Sequence, residues 1–599
     1  MTKPVFRIST QVAKMAVQGR WPQSVPNLAS GLLASLSTGT YAPTPEKFLT
    51  VSGRLIKDQN NVTVNLRGLC ASNGVYWLKS SQELIDPYAP WFQLNDADYA
   101  AIKALGANSV RFYLQYYWLK DAVGQAQFFH YLDQQLALAH KYGIYIILNL
   151  HYFGVDWEVN QNLDDGFFSG DLHGRGYDLV NFWDLISKRY KDESLIAAYD
   201  LINEPRVRTG FKESNLTALY TSIIQKIRSN SDAHVIMVGQ AMGDPAAMDE
   251  PGPFTKLSDP GVIYEFHYYE PFEFTHQAYY KDPQYELGAA YPFTTRWGDY
   301  IGGDYSNPYW QTTTGNTWQY YQSGWKDLSA LTAGKFSVSL SVGQCTGRAW
   351  FDELVLESRN TTTNAVTNIP LKNALVSLPK NYLGVPPQPS YLPAGWYFTS
   401  NWIPNNASDY VNTPAAYYRM DSASHTADGS GSLLVDCTAV TWPPSNAYAS
   451  WGQSAGIMPS FFTAEPGIEY RVSAWIKIEA NTQWAVSINY DFFTAHEVIK
   501  NKAYLQTGIN DYINWGQANS SPVYCGEFGV TDPSMRDNAF PNSPAQQNQW
   551  IADMTDILNT AAIPWTYHVY KSYEQGRGDV FGLFNPDDAT LQSALRSKF

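Results

Sequence analysis

Hydrophobic spacing along this chain changes character twice. From about residue 46 to residue 270, short apolar runs alternate with stretches whose apolar side chains recur every three or four positions, the signature of parallel βα units. Runs at Phe48–Ile56 and Val62–Gly68, parted by Asp58-Gln59-Asn60-Asn61, predict a hairpin leading into a first barrel strand. Five more strands are expected at Asn108–Leu114, Ile144–His151, Ile196–Glu204, Val235–Gln240 and Gly261–Glu270. Helices fall between them, at Tyr99–Leu105 (capped by Asn95-Asp96 and stopped by Gly106), Phe128–Ala139, Phe182–Tyr190 and Leu216–Ile227. From Phe272 to Trp325 the chain reads as a long loop dense in Tyr, Trp, Gly and Pro.

Beyond Gly334 the period becomes two, at Phe336–Val342, Ala349–Leu356, Ser432–Asp436 and Tyr470–Ile478, and ends near Tyr490. That pattern predicts an all-β sandwich. The βα rhythm then resumes with a helix near Glu497–Tyr504, a polar connection, a strand at Ser521–Val530, a helix at Ala545–Ala561, a strand at Pro564–Tyr570 and a closing helix at Asp587–Lys598. The count reaches eight strands. The fold class expected is α/β, a (β/α)8 TIM barrel interrupted after strand 6 by an all-β sandwich. Its domains are a leader or attachment segment at 1–45, barrel at 46–333, sandwich at 334–500 and barrel again at 501–599.

In such a barrel the chemistry sits at the C-terminal strand ends, where loops vary over a rigid scaffold. Two glutamates occupy such positions. Glu204 stands before Pro205 at the tip of the fourth strand, and Glu527, between Gly526 and Phe528-Gly529, stands at the tip of the seventh. Two carboxyls brought together by barrel closure suit glycoside hydrolysis, one as general acid/base and one as nucleophile. Glu204 fits the first role and Glu527 the second, with Arg111 holding Glu527 ionised and Tyr269 hydrogen-bonding to it. Asn203 is placed to grip a sugar hydroxyl, and His151 and His267 to orient the acid/base and the sugar. Taken singly, an Asn-Glu-Pro is a turn and a strand-end histidine is core; their joint occurrence on successive strands is what carries the reading.

Aromatic residues make up 15% of the chain, including 20 Trp and 42 Tyr, a supply of flat amphipathic rings suited to stacking on sugars as well as to large cores. Tyr76, Trp77, Tyr116, Tyr117, Trp118 and Trp157 follow strand ends and are expected to line a cleft. A net charge of −14 with no basic run argues against nucleic acid or an anionic membrane as partner, and favours a neutral polymer. Cys70, Cys345, Cys437 and Cys525 show no metal-ligand spacing, so no metal is expected; Cys70 and Cys525 read as core, leaving Cys345 and Cys437 as the one pair that can bridge. No apolar run reaches the ~18 residues of a membrane span, and the N-terminus lacks the order of a secretory signal. The expected location is extracellular or on a particle, with attachment through the N-terminal segment.

The chain resembles the retaining (β/α)8 glycosidases of clan A, specifically glycoside hydrolase family five, the cellulase and mannanase family. The matching residues are Arg111 in Ser109-Val110-Arg111, His151 in Leu150-His151-Tyr152, Asn203-Glu204 before Pro205, His267 and Tyr269, and Glu527 in Gly526-Glu527-Phe528-Gly529. The resemblance implies acid/base Glu204, nucleophile Glu527 and no cofactor. It departs in the eighth strand, where the family's stacking tryptophan is replaced in register by His568, with Trp565 three positions earlier. The sandwich resembles carbohydrate-binding jelly rolls at Gly347–Glu353 and Pro466–Trp475. The activity expected is an endo-acting retaining β-1,4-glucanase on cellulose or a related exopolysaccharide, with a mannanase or other β-glycan hydrolase as the near alternative and a non-catalytic glycan receptor as the distant one.

Overall fold

In a computed structural model of the chain, the residues described are 48–72, 94–119, 121–152, 162–163, 178–207, 212–243, 252–276, 290–304, 315–329, 335–343, 347–371, 396–400, 418–425, 431–436, 438, 448–453, 462–479, 485–531, 544–571, 581–582 and 589–599. The leader at 1–45, Cys345 and Cys437 lie outside them.

Eight strands form the barrel: β1 (Arg67–Cys70), β2 (Ser109–Gln115), β3 (Tyr145–Tyr152), β4 (Ile196–Asp200), β5 (Val235–Gly239), β6 (Val262–His267), β7 (Val523–Phe528) and β8 (Trp565–Tyr567). They close in the order β6-β7-β8-β1-β2-β3-β4-β5, so the (β/α)8 TIM barrel expected from the pattern is the observed fold. Registers such as Ser109↔Tyr145 and Ala198↔Val235 run parallel. Helices α1 (Asp96–Leu105), α2 (Ala122–Tyr142), α3 (Leu179–Tyr190) and α4 (Glu213–Ser229) follow the first four strands. α5 (Lys502–Asn519), α6 (Pro544–Thr560) and α7 (Ala589–Arg596) belong to the last part of the chain. The first helix shows why its ends fall where they do: Asn95 and Asp98 cap each other's backbone, and Gly106 turns left-handed at φ 101° to stop it.

By contacts the chain falls into two compact units, residues 1–266 with 515–524 and residues 267–514 with 525–599. In the first, Leu49 and Ile56 from an N-terminal hairpin join Leu66, Ile147, Ala198, Met237 and Ile263 in one apolar cluster. That hairpin pairs Thr50–Ser52 with Leu55–Lys57 through Gly53, and the pairing expected across Asp58–Asn61 follows it as a short second one: Lys57 bridges Thr63 antiparallel, and Val64 N–H donates to Ile56 O at 2.9 Å. Asp58 accepts the N–H groups of Asn60 and Val62 in the tight turn between them.

In the second unit the barrel is interrupted after β6 by two antiparallel sheets. Their inner faces share a core that includes Phe336, Val338, Leu340, Phe351, Trp451, Val472, Ile476, Val486 and Ile488. Two expectations are corrected here. The stretch Phe272–Trp325 is not one loop: Phe293–Asp304 is a long strand paired antiparallel to Ala485–Lys500, and Trp318–Gln322 is another. The helix expected at Glu497–Tyr504 is also displaced. Residues 497–500 end the long strand, and α5 begins at Lys502 and fills the supposed polar connection.

Candidate active site

The first unit presents one group of polar side chains at strand ends. β4 stops at Asp200, four residues before the expected tip, because the next backbone groups turn to different neighbours: Leu201 N–H to Met237 O at 3.0 Å and Asn203 N–H to Leu150 O at 2.9 Å. Glu204 therefore sits half-buried in a bend at φ 41°, a left-handed conformation that costs a non-glycine residue about 1 kcal/mol or more. Arg206–Val207, immediately beyond Pro205, pairs with Asn162–Leu163 and Met242–Gly243 in a small parallel sheet that braces this bend.

Asn203 is fixed from two sides. Arg111 Nη2 donates to its Oδ1 at 3.0 Å, and its Nδ2 lies 3.3 Å from His151 Nε2. The amide then donates to His151, which leaves the proton on His151 Nδ1 to go to Asn149 Oδ1 at 2.8 Å. Asn149 Nδ2 in turn donates to Asp200 at 2.9 Å, and the His151 ring packs on Tyr113 at 4.0 Å. Arg111, fully buried, closes this network with ion pairs to Asp200 at 2.8 Å and Glu265 at 3.2 Å. Asp200, Glu265 and Asn149 were not singled out from sequence. Their signal was there, as polar residues inside the otherwise apolar runs Ile196–Leu201, Val262–His267 and Tyr145–Leu150.

The second unit presents the other group around Glu527, which is 5% exposed at the end of β7. Tyr269 donates its hydroxyl to Glu527 Oε2 at 2.9 Å. His267 Nδ1 and His568 Nδ1 lie 3.7 and 3.6 Å from the same oxygen. The phenol and the two imidazoles thus converge on one carboxylate oxygen and orient it. Phe581 packs edge-on to both Tyr269 and His568, and His276 to Tyr269, a ring shell that the sequence reading did not find. Gly529 serves packing, since a Cβ there would run into the carbonyl oxygen of His568.

Two tryptophans expected at the substrate are core residues. Trp118, 1% exposed in the turn Tyr116–Leu119, packs on Phe128 of α2. Trp565 is fully buried, with its indole N–H on Asn559 of α6 and its ring against Phe528 and Phe599. Tyr116 is also buried, with its hydroxyl accepting the Asp178 N–H at 2.6 Å. An indole at a strand end or a short turn satisfies its large area best against a neighbouring helix. Tyr76, Trp77 and Trp157 lie outside the described residues. The free thiols Cys70 and Cys525 are buried, as expected.

The chain is similar to several known proteins. A curated β-xylosidase of Phanerodontia chrysosporium is 25% identical over 224 residues, 32% of this chain and 46% of its own length. Endoglucanase C of Acetivibrio thermocellus is 26% identical over 248 residues, 40% of this chain and 65% of its own. The chain thus spans between about half and two thirds of these two relatives. Among solved structures, the endoglucanase Cel5A of Thermotoga maritima aligns with 88% of this chain and 96% of its own at 13% identity and a TM-score of 0.38. Residues 57–324, which carry β1 to β6 and Glu204, match the model described as cellulase (glycosyl hydrolase family 5), and this stretch is a glycosyl hydrolase family 5 domain.

Proposed function

We propose that the barrel hydrolyses β-1,4 linkages within a glucan, cellulose or a related exopolysaccharide, by double displacement between Glu204 and Glu527. The observation that carries the reading is the setting of Glu527: a buried carboxylate at a barrel strand end that accepts the Tyr269 hydroxyl and faces two imidazoles. Such a group is oriented, as a nucleophile must be. Glu204 lies in the loop beyond the C-terminal end of β4.

In the first step a Glu527 oxygen attacks the anomeric carbon while Glu204, protonated, gives its proton to the departing glycosidic oxygen. In the second, Glu204 takes a proton from water, and the water oxygen displaces Glu527 and restores it. The two carboxyls must stand about 5–5.5 Å apart for this route, whereas an inverting route needs about 6.5–9.5 Å. Asn203, anchored by Arg111 and His151, holds the sugar 2-hydroxyl. Relatives named mannan endo-1,4-β-mannosidase, 28–33% identical over 125–140 residues, make mannan the second substrate to try. Mannose differs from glucose at the carbon whose hydroxyl Asn203 would hold.

Reducing-sugar release across glucans, mannans and bacterial exopolysaccharides tests the substrate, with NMR of the first-formed anomer testing the stereochemistry. Retention is expected, and release abolished in Glu204→Gln and in Glu527→Gln. An inverted first product overturns the double displacement. Absence of release from every polymer, with glycan still bound, overturns hydrolysis in favour of a receptor. A polymeric substrate also places the protein outside the cell or on a particle, and recovery from the cytosolic fraction alone would contradict that placement.

A further inference from the structure

The outer face of one sandwich sheet carries a group of rings that neither the core nor the barrel accounts for. In the strand Ile468–Ile478, Tyr470, Val472, Ala474, Ile476 and Ile478 point into the core, so Trp475 and Lys477 point outward. The edge strand Trp318–Gln322 pairs with it in the register Tyr320↔Trp475 and Trp318↔Lys477, which puts Trp318 and Tyr320 on the same outer face. On the other side Trp350 lies opposite Lys477 and Asp352 opposite Trp475.

The rings form a corner. His425 lies flat on Trp475, with centroids 3.6 Å apart and planes at 13°. Trp318 stands nearly perpendicular to His425, at 74° and 6.2 Å, and Tyr320 flanks Trp475 at 5.5 Å. Tyr320 is 50% exposed, at an edge where a large ring gains nothing from folding. Polar atoms border the rings. The Lys477 ammonium lies 4.1 Å from the Trp350 ring and 5.4 Å from Trp318. The Tyr320 hydroxyl accepts from Gln322 at 3.2 Å, and His425 Nδ1 lies 3.1 Å from Glu353. The Asp352 carboxylate accepts the backbone N–H groups of Glu353 and His425, both at 2.8 Å, which fixes the turn that carries the imidazole.

Flat apolar faces rimmed by hydrogen-bonding groups of both signs match one chemical class, a neutral sugar ring with apolar C–H faces and a hydroxyl rim. A lipid or an apolar peptide would shut Lys477 and Glu353 off from water at the contact, and the Asp421 and Glu479 carboxylates, whose charges act on Lys477, disfavour an anion. We infer that Trp318, Tyr320 and the His425–Trp475 stack form a glycan-binding platform on the sandwich, separate from the barrel's strand-end residues, which holds a neutral β-linked polysaccharide. The proposal rests on the proposed hydrolysis only for the choice of sugar.

The test is affinity electrophoresis of the full chain in gels containing soluble β-1,4-glucan or β-mannan, with an α-glucan gel as control. Wild type and Glu527→Gln should both be retarded by a β-glycan. The double variant Trp318→Ala/Tyr320→Ala, made in the Glu527→Gln background, should lose at least about tenfold in affinity. Trp318→Phe/Tyr320→Phe in the same background should recover most of that loss, which separates stacking from a folding defect. Equal retardation of the alanine and parent proteins overturns the platform, as does equal retardation by the α-glucan gel. Failure of the hydrolysis reading would show instead as a wild type that binds and releases no sugar.

Discussion

The hydroxyl of Tyr269 donates a 2.9 Å hydrogen bond to Oε2 of Glu527, and both residues are more than nine-tenths buried. A neutral donor on a buried carboxylate contributes about 1.5–3 kcal/mol. Tyr269→Phe keeps the ring contacts with His276 and Phe581 and removes only that donor. We expect kcat/KM on a β-glucan to fall about ten- to hundredfold, with a melting temperature lowered by a few degrees as the buried carboxylate loses its donor. Wild-type kinetics in the variant would remove Tyr269 from the reaction.

Arg111 faces two buried carboxylates, Asp200 and Glu265, and the Asn203 amide. Arg111→Met leaves those carboxylates without their cation, a loss of about 3–5 kcal/mol that urea unfolding would register as a lower midpoint. Arg111→Lys should recover only part of it, because one ammonium cannot match a planar fork that serves three partners. A midpoint shift below about 1 kcal/mol for the methionine variant would show that the network contributes little to folding.

Gly529 abuts the carbonyl of His568, and His568 stands beside Glu527. Gly529→Ala must push that carbonyl away, at a cost of about 1–3 kcal/mol. The expected outcome is a drop in kcat at least as large as the fall in stability converts to, since the displaced backbone carries the imidazole. A variant that melts lower but turns over at the wild-type rate would uncouple the two.

Asp232 and Asp352 are both buried, yet they titrate in opposite directions. Burial pushes Asp352 up, to about 6, against the N–H groups of His425 and Glu353. Burial also acts upward on Asp232, but the ring and N–H of His234 outweigh it and hold that carboxyl below the usual range. A lowered folded pKa contributes stability that is present above the unfolded value and lost as pH falls through the folded one. A raised one contributes stability that is full below the unfolded value and lost as pH rises through about 6. Melting curves from pH 3 to 8 should therefore show the penalty of Asp232→Asn fading in acid. The advantage of wild type over Asp352→Asn should shrink between pH 4 and 7. Parallel curves for either variant would contradict its assignment.

The barrel was legible because each βα unit writes its own period, and the strand-end residues were legible because a charged group closes an apolar run. His151, His267 and Glu527 stand at or next to the ends of their strands, whereas Arg111 lies inside β2 and Asn203 beyond the end of β4. Asp200 and Glu265 were not legible, because a carboxylate inside such a run looks like an interruption until the cation that neutralises it is seen across the barrel. The strand Phe293–Asp304 escaped for a related reason. Its Gly and Asp residues interrupt an otherwise strand-prone run, and its partner lies at Ala485–Lys500, far along the chain. Trp118 and Trp565 were misplaced because amphipathic rings suit a sugar and a helix–strand seam equally well.

That long pair of strands joins Phe293 directly to Lys500. The points where the chain leaves the barrel's sequence and returns to it are thus hydrogen-bonded neighbours, about 5 Å apart. To the host, some two hundred residues are equivalent to a hairpin's tip, and whatever grows or shrinks beyond that root leaves the geometry of its attachment unchanged. A module mounted this way can be exchanged for another of any size without asking the catalytic scaffold to adapt.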